Sequence, residues 1–173
     1  MIAERNTRTL MPTLNDVHAK LNATRLNQIR SVTAADDIVQ AFSIARDSGR
    51  GISVAGGRHA MGGQQFGRDT IHLDMRGLDR VIEFDPQRGE IEVEAGIEWP
   101  ALMLALHVLQ GGAVTQWGIR QKQTGADRLS IGGAVAANIH GRGLRMKPLV
   151  EDIVSLTVVR PDGTVSTCGP DHN

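Results

Sequence analysis

Apolar residues recur along the chain with different spacings, and each spacing predicts an element. Between residues 38 and 45 they return every three or four positions, as on one face of a helix. Thr33 and Asp36 precede this stretch with a spacing similar to that of a capping box, and Gly49 follows where a left-handed residue commonly ends a helix. The apolar run at residues 51–55 then predicts a strand directly after the helix.

The following stretches predict the rest of the domain. Residues 70–75 alternate apolar and polar side chains, which is typical of a half-buried strand. Residues 81–95 and 153–168 predict two hairpins around turn-forming residues, and residues 99–109 predict a helix. A loop is expected at residues 113–127. Because helices and strands do not alternate regularly, we expect an α+β domain with two small mixed or antiparallel sheets and flanking helices.

Length and composition indicate one domain and exclude several classes of protein. Residues 1–30 lack periodicity and are predicted to be an irregular N-terminal extension, and residues 31–173 the domain itself. Lys and Arg number 19 and Asp and Glu 19, and only 3% of residues are aromatic, which argues against nucleic-acid binding. Apolar runs are too short to span a membrane. With one cysteine, Cys168, no internal disulfide forms, and we expect a cytoplasmic protein.

Four of the six histidines show no metal-ligand spacing with one another or with Cys168. We therefore predict no metal site and expect these histidines on the surface or on strands. They are His18, His72, His107 and His172.

The loop after the first strand has the composition of an anion-binding loop. Two glycines, Gly56 and Gly57, follow the apolar run, then come Arg58 and His59, and two further glycines close the loop. Glycines let successive backbone N–H groups approach one point, and such a concavity binds phosphate oxygens. Neither the Rossmann fingerprint nor the Walker loop matches, because this loop leads into another strand and has no Gly-Lys-Ser/Thr end.

A second stretch, residues 130–143, is rich in glycine and alanine. Small residues allow a flat ligand to lie against the backbone, and the Gly132-Gly133 step predicts a short helix whose N-terminus faces a phosphate. Two such stretches far apart in sequence indicate a long ligand with a diphosphate in its middle. FAD fits this description.

Three segments then resemble one family, the PCMH-type FAD-binding domain of the vanillyl-alcohol oxidase family of FAD-linked oxidases. Residues 55–64 (AGGRHAMGGQ) are similar to its RGGGHSxxGQ loop, residues 129–141 (LSIGGAVAANIHG) to its second loop, and residues 150–163 (VEDIVSLTVVRPDG) to the hairpin that follows. The likeness extends over about residues 30–168 in the family's order.

The resemblance implies a cofactor-binding set but no catalytic residue. His59 falls where many members bond a histidine covalently to the flavin C8-methyl, and Ala60 replaces the usual serine. The implied set is Gly56, Gly57, Arg58, His59, Ala60, Met61, Gln64, Ser130, Gly132, Gly133, Ala136, Asn138, His140 and Gly141.

The resemblance also implies an activity. The flavin would accept a hydride from an alcohol, sugar-lactone or similar small-molecule donor and pass the electrons to oxygen or another acceptor. Family members continue with a substrate domain, so the chain resembles a truncated member. Two alternatives stay open: a non-covalent FAD reductase of the UDP-sugar type, and a non-catalytic fragment that binds flavin weakly.

Overall fold

The computed structural model describes residues 11–143 and 145–170, and the α+β class is confirmed. The helices are α1 (Ala35–Asp47), α2 (Trp99–Leu109) and α3 (Ile131–Ala136), with 3₁₀ turns at Met75–Gly77 and Leu149–Asp152. The strands are β1 (Thr13–Leu14), β2 (Thr24–Arg25), β3 (Gln28–Ser31), β4 (Ile52–Ala55), β5 (Ile71–Asp74), β6 (Val81–Asp85), β7 (Glu90–Val93), β8 (Leu156–Val159) and β9 (Val165–Cys168).

The central sheet is parallel, in the order β3-β5-β4. Its middle strand, β5, is covered on both faces: Ile71, His72 and Leu73 are each 1% exposed. The prediction that this strand is half-buried is therefore wrong, since both faces are buried. Alternation of apolar and polar residues does not distinguish a polar side chain in solvent from a polar side chain that has a buried partner. His72, expected on the surface or on a strand, is a buried strand residue whose Nδ1 lies 2.9 Å from the Ser53 hydroxyl.

Part of the predicted irregular N-terminal extension is ordered structure. β3 is an edge strand of the central sheet, and β1 pairs antiparallel with β2. Leu26, just before β3, is 0% exposed. The prediction of irregular structure is thus wrong for these strands, while residues 1–10 lie outside the described residues.

Helix α1 connects β3 to β4 and begins one residue later than the capping pattern predicts. Its N-cap is Ala34, and the Asp37 carboxylate, rather than that of Asp36, accepts the backbone N–H of Thr33 at 2.8 Å. The predicted left-handed end is confirmed, since Gly49 has φ +63°.

The remaining elements form a second packed region. The two predicted hairpins are present as β6-β7 and β8-β9, and β1-β2 makes a third antiparallel pair. The sheets among the described residues thus differ from the predicted pair of mixed or antiparallel sheets, since the largest is wholly parallel.

α2 and α3 contribute to one apolar cluster of buried residues, and α1 and the central sheet to another. The first contains Ile97, Trp99, Leu102, Leu106, Ala134 and Leu149, and the second Val32, Ala41, Ala45, Ile71 and Leu73. In the described ranges, no helix combines the length and apolar character needed to cross a membrane.

Candidate functional site

The loop after β4, residues 56–64, is here named the glycine loop. It leaves the parallel sheet at Ala55, which is 7% exposed. Within residues 11–143 and 145–170, six successive backbone N–H groups of this loop have no hydrogen-bond acceptor. They belong to Gly57, Arg58, His59, Ala60, Met61 and Gly62. Arg58 is left-handed, at φ +59°, and a left-handed residue is one component of the turns in which successive amides bind an anion.

The two predicted small-residue stretches are in contact. A Cβ placed on Gly56 would overlap the Ser130 hydroxyl and lie 2.9 Å from Ser130 Cβ. A Cβ on Gly57 would lie 2.7 Å from the carbonyl oxygen of Arg128. Only glycine permits these approaches, so the start of the glycine loop lies directly against the start of α3.

The N-terminus of α3 does not offer the donors that the sequence predicts. The N–H of Ile131 donates to Ile97 O at 2.8 Å and that of Gly132 to Ala95 O at 2.7 Å. The N–H of Gly133 lies 3.3 Å from the hydroxyl of the N-cap serine. The helix itself is confirmed, but its first N–H groups are already paired within the protein. The lack of a side chain at Gly132 instead allows α3 to pack on Ala95.

The end of the second stretch is held by contacts within the chain. Asn138 follows α3 in a left-handed conformation, at φ +43°, and its Oδ1 accepts the N–H of Val150 at 3.3 Å. His140 Nδ1 lies 2.9 Å from the carbonyl oxygen of Gly141. Ala136, Asn138 and His140 are exposed. These residues therefore form an exposed turned surface after the helix.

His59 contacts a residue that the sequence did not connect with it. His18 Nε2 lies 2.9 Å from His59 Nδ1, and the ring centroids are 5.0 Å apart. On its other edge, the His59 ring covers Gly57, where a Cβ would lie 2.8 Å from His59 Cδ2. No local pattern predicts this pair, because the two histidines belong to separate segments.

The segment that carries His18, residues 15–22, is here named the N-terminal clamp. Val17 N–H donates to Arg58 O at 3.1 Å, and Asn22 Nδ2 donates to Met61 O at 2.7 Å. Both contacts hold carbonyl groups of the glycine loop and leave its free N–H groups unpaired. The clamp lies in the part of the chain predicted to be an irregular extension.

Buried polar atoms without a hydrogen-bond partner also lie in and beside the glycine loop. Arg58 Nε and both side-chain amide atoms of Gln65 are buried without a hydrogen-bond partner. Gln64, which the resemblance implies as a ligand, is exposed. Buried polar groups are normally paired, and a polar ligand bound beside this loop would supply partners for these atoms. Gln65 lies one residue beyond the matched motif and is a further candidate ligand.

Charged side chains of both signs lie near the end of β5, where Asp74 interacts with Arg76 and Arg58. The pKa of Asp74 lies below its usual range mainly because Arg76 donates a hydrogen bond to its carboxylate, and the positive charge of Arg58 also contributes. Burial lowers the pKa of His72, and Arg58 acts in the same direction, although Asp74 opposes it. The Arg58 guanidinium therefore adds positive potential where β5 ends, next to the free N–H groups.

The comparisons with known proteins identify the family of the chain. The profile of the family described as "FAD binding domain" matches residues 27–169, and the chain belongs to this family. It is 26% identical over 142 residues to L-gulonolactone oxidase from Mus musculus, covering 82% of the chain and 30% of the mouse protein. It is 37% identical over 97 residues to L-gulono-1,4-lactone dehydrogenase from Mycobacterium tuberculosis, covering 56% of the chain and 21% of the mycobacterial protein.

A solved structure supports the fold. The "Physcomitrella patens BBE-like 1 variant D396N" superposes with a TM-score of 0.65 at 22% identity, covering 84% of this chain and 30% of that one. The chain thus spans about 30% of the mouse relative and of this structural neighbour. It is an FAD-binding domain, with FAD as its cofactor. The described residues contain no group of three or more potential metal ligands among His, Cys, Asp and Glu, and His172 lies outside them.

Proposed function

We propose that the glycine loop binds the diphosphate of FAD through its row of free N–H groups. That row, placed against Ser130, is the observation that carries the proposal, because it offers several unpaired donors to one anion. Arg58 adds a positive charge. The donors are assigned to Gly57, Arg58, His59, Ala60, Met61 and Gly62, with Gly56 allowing close approach and Gln64 and Gln65 as further polar contacts.

The second stretch is proposed to form the wall beside the diphosphate and the flavin. Its first-turn N–H groups are paired within the protein, so its contribution is a close backbone surface rather than an anion site at a helix end. The residues assigned to this wall are Ser130, Gly132, Gly133, Ala136, Asn138, His140 and Gly141.

His59 is proposed to bond the flavin covalently. The bond joins an imidazole nitrogen to the carbon of the C8-methyl group. One hydrogen is lost from that methyl group and one from the imidazole, both as protons, and the two electrons released reduce an acceptor. With oxygen as the acceptor, the product is hydrogen peroxide. A covalent link prevents loss of the cofactor, and it requires the ring to be held in one orientation above the glycine loop.

The whole protein is proposed to oxidise a small hydroxylated or lactone substrate. Bound FAD supplies hydride acceptance, and the protein orients it. The names of the relatives, a gulonolactone oxidase and a gulono-1,4-lactone dehydrogenase, favour a sugar-lactone donor. They favour this function over a UDP-sugar reductase or a non-catalytic fragment. Oxygen and another electron carrier are both proposed acceptors, since the relatives include an oxidase and dehydrogenases.

We also propose that the protein is cytoplasmic. Cys168 is a free cysteine, which is usual in reducing compartments. The relative from Arabidopsis thaliana is named as mitochondrial, so the mitochondrion is the alternative compartment. Cell fractionation with an antibody against the natural protein decides between them.

The decisive experiment is a visible spectrum of the purified protein before and after acid precipitation. Yellow colour that remains in the pellet, and is lost in His59→Ala but not in His107→Ala, would support a covalent bond at His59. His107 is an exposed residue of α2 and serves as the matched control. Colour released into the supernatant would support FAD binding without the bond. Failure of added FAD to bind at all would overturn the assignment of the glycine loop.

A further inference from the structure

A row of polar side chains connects the two strands that flank the glycine loop. Ser53 on β4 and His72 on β5 are partners in the parallel register, so their side chains lie on the same face of the sheet. The Ser53 hydroxyl lies 2.9 Å from His72 Nδ1 and 2.7 Å from the Thr70 hydroxyl. The Thr70 hydroxyl lies 2.7 Å from the carbonyl oxygen of Gly67. The row therefore joins β4, which enters the loop, to residues 65–70, here named the return segment, which lead from the loop into β5.

The direction of these hydrogen bonds follows from the number of hydrogens available. A carbonyl oxygen only accepts, so Thr70 must donate the single hydrogen of its hydroxyl to Gly67 O. Ser53 must then donate its own single hydrogen to Thr70. Because Ser53 has no second hydrogen, His72 Nδ1 is the donor of the remaining contact. The hydrogens thus all point from His72 toward the return segment.

We propose that this directed chain of hydrogen bonds ties together the two ends of the glycine loop and so positions its free N–H groups for FAD. The inference rests on the proposed function, in which the N–H groups of residues 57–62 bind the diphosphate. A loop whose ends are fixed loses less conformational freedom on binding, which raises its affinity. His72, Ser53 and Thr70 are therefore positioning residues, and none of them belongs to the assigned donors.

The chain begins in the interior of the protein. His72 is 1% exposed, and the Phe66 ring of the return segment packs on its imidazole, with ring centroids 5.4 Å apart. Ser53 and Thr70 are half-buried. A polar group that loses its partner in such a place still bears the cost of its removal from water. Loss of one member of the chain should therefore be felt by its neighbours.

The return segment is also packed closely at its contact with the chain. A Cβ on Gly67 would lie 2.5 Å from Thr70 Cγ2, and the backbone N–H of Thr70 donates to Gly67 O at 3.3 Å. Gln65, whose buried amide atoms have no partner, lies two residues before Gly67. The chain thus also restricts the position of this candidate ligand.

The protonation state of His72 leaves the direction of the chain unchanged. Burial lowers the pKa of His72, against the opposing effect of Asp74, so the ring is neutral at pH 8. A neutral ring that donates from Nδ1 has its lone pair on Nε2. Protonation at lower pH adds a hydrogen to Nε2 and keeps the donor on Nδ1. The tautomer at pH 8 is therefore a direct measure of the direction.

The first test measures this tautomer in the purified chain without flavin. Long-range ¹H–¹⁵N correlation spectra at pH 8 should show His72 with hydrogen on Nδ1, its signals being identified by their loss in His72→Asn. Ser53→Ala removes the acceptor, so the population with hydrogen on Nδ1 should fall. Ser166→Ala on β9 is the matched control and should leave the His72 signals unchanged. A wild-type His72 with hydrogen on Nε2 and its lone pair on Nδ1 would overturn the inference.

The second test measures FAD affinity by fluorescence titration. Thr70→Val keeps the shape of the side chain but removes the hydroxyl, and we expect FAD to bind about threefold to tenfold more weakly. Amide hydrogen exchange in the return segment should become faster. Thr70→Ser keeps the hydroxyl and should bind FAD as tightly as the wild type. Thr157→Val is the control, because Thr157 is exposed on β8 and its hydroxyl contacts Thr167.

Failure of this inference and failure of the proposed function are distinguishable. If the wild-type chain binds no FAD, the assignment of the glycine loop is wrong, and the positioning role is rejected with it. If Thr70→Val binds FAD as tightly as Thr157→Val, the proposed function stands and the positioning role alone is rejected. Equal losses of affinity in Thr70→Val and Thr70→Ser would show that packing, rather than the hydroxyl, is responsible, and would also reject the chain.

Discussion

Gly56 and Ser130 lie so close together that any side chain at position 56 would collide with the serine. The Ser130 Cβ would be 2.9 Å from a Cβ on Gly56, and the hydroxyl oxygen still closer. Gly56 follows β4, whereas Ser130 caps α3 through its contact with Gly133 N–H. This one contact brings together the two segments that the proposed cofactor must touch.

Gly56→Ala is therefore expected to disturb both segments at once. Overpacking a tight contact commonly costs about 1–3 kcal/mol, so the free energy of unfolding in urea should fall by about that amount, and FAD affinity should fall with it. Gly118→Ala is the matched control, since a Cβ at Gly118 would meet nothing within 4 Å. If Gly56→Ala binds FAD as tightly as Gly118→Ala, the contact is not needed for the site.

The glycine loop, the helices and the hairpins could be predicted because their signals are local. Glycine clusters, turn residues and the spacing of apolar positions each act within a few residues. The confirmed left-handed Gly49 and the hairpins β6-β7 and β8-β9 belong to this group. The family resemblance is likewise carried by short motifs, and the match to residues 27–169 confirms it.

The missed features all depend on contacts between distant segments. The parallel pairing of β3 with β5 makes the end of the predicted N-terminal extension an edge strand of the sheet. His72 on β5 is buried, although it is one of the polar residues of the predicted half-buried strand. The N-terminal clamp contacts the glycine loop through the backbone N–H of Val17 and the side chain of Asn22. Two such contacts produce no recognisable pattern in the sequence. The motif around Gly132 predicted a helix correctly, but the pairing of its first N–H groups depends on the distant Ala95.

Asn138 provides a test of whether the second stretch acts through its turn or through its amide. Left-handed backbone costs an alanine about 1–2 kcal/mol, whereas glycine adopts it freely. Asn138→Ala should therefore lose about 1 kcal/mol more unfolding free energy than Asn138→Gly, which loses mainly the Val150 hydrogen bond. Both variants should retain FAD affinity in fluorescence titrations. A large loss of affinity in Asn138→Gly would instead indicate that the amide contacts the cofactor.

Asn22→Ala tests the N-terminal clamp. The variant loses the 2.7 Å hydrogen bond to Met61 O, and such bonds contribute about 0.5–1.5 kcal/mol. We expect faster amide hydrogen exchange across the glycine loop and weaker FAD binding by up to about tenfold, which corresponds to 1.4 kcal/mol. Gln87→Ala, in the exposed β6-β7 turn, is the control. Unchanged exchange in the loop would show that the clamp does not stabilise it.

His72 predicts how stability depends on pH. Burial lowers its pKa below the ordinary value of 6.5, so between these two values the unfolded chain binds more protons than the folded protein. Stability should therefore be full above pH 6.5 and fall as the pH decreases from 6.5 toward the folded pKa. Urea unfolding from pH 8 to pH 5 measures this slope, which His72→Gln should reduce.

The control for this measurement is His107→Gln, since His107 is exposed on α2. It should leave the slope unchanged, while His72→Gln flattens it because glutamine does not titrate. The comparison is between slopes, so a general loss of stability in either variant does not affect it. Carboxylates with lowered pKa values, such as Asp74, titrate at lower pH and contribute below this window. A wild-type slope that His72→Gln leaves intact would mean that another group causes the acid sensitivity.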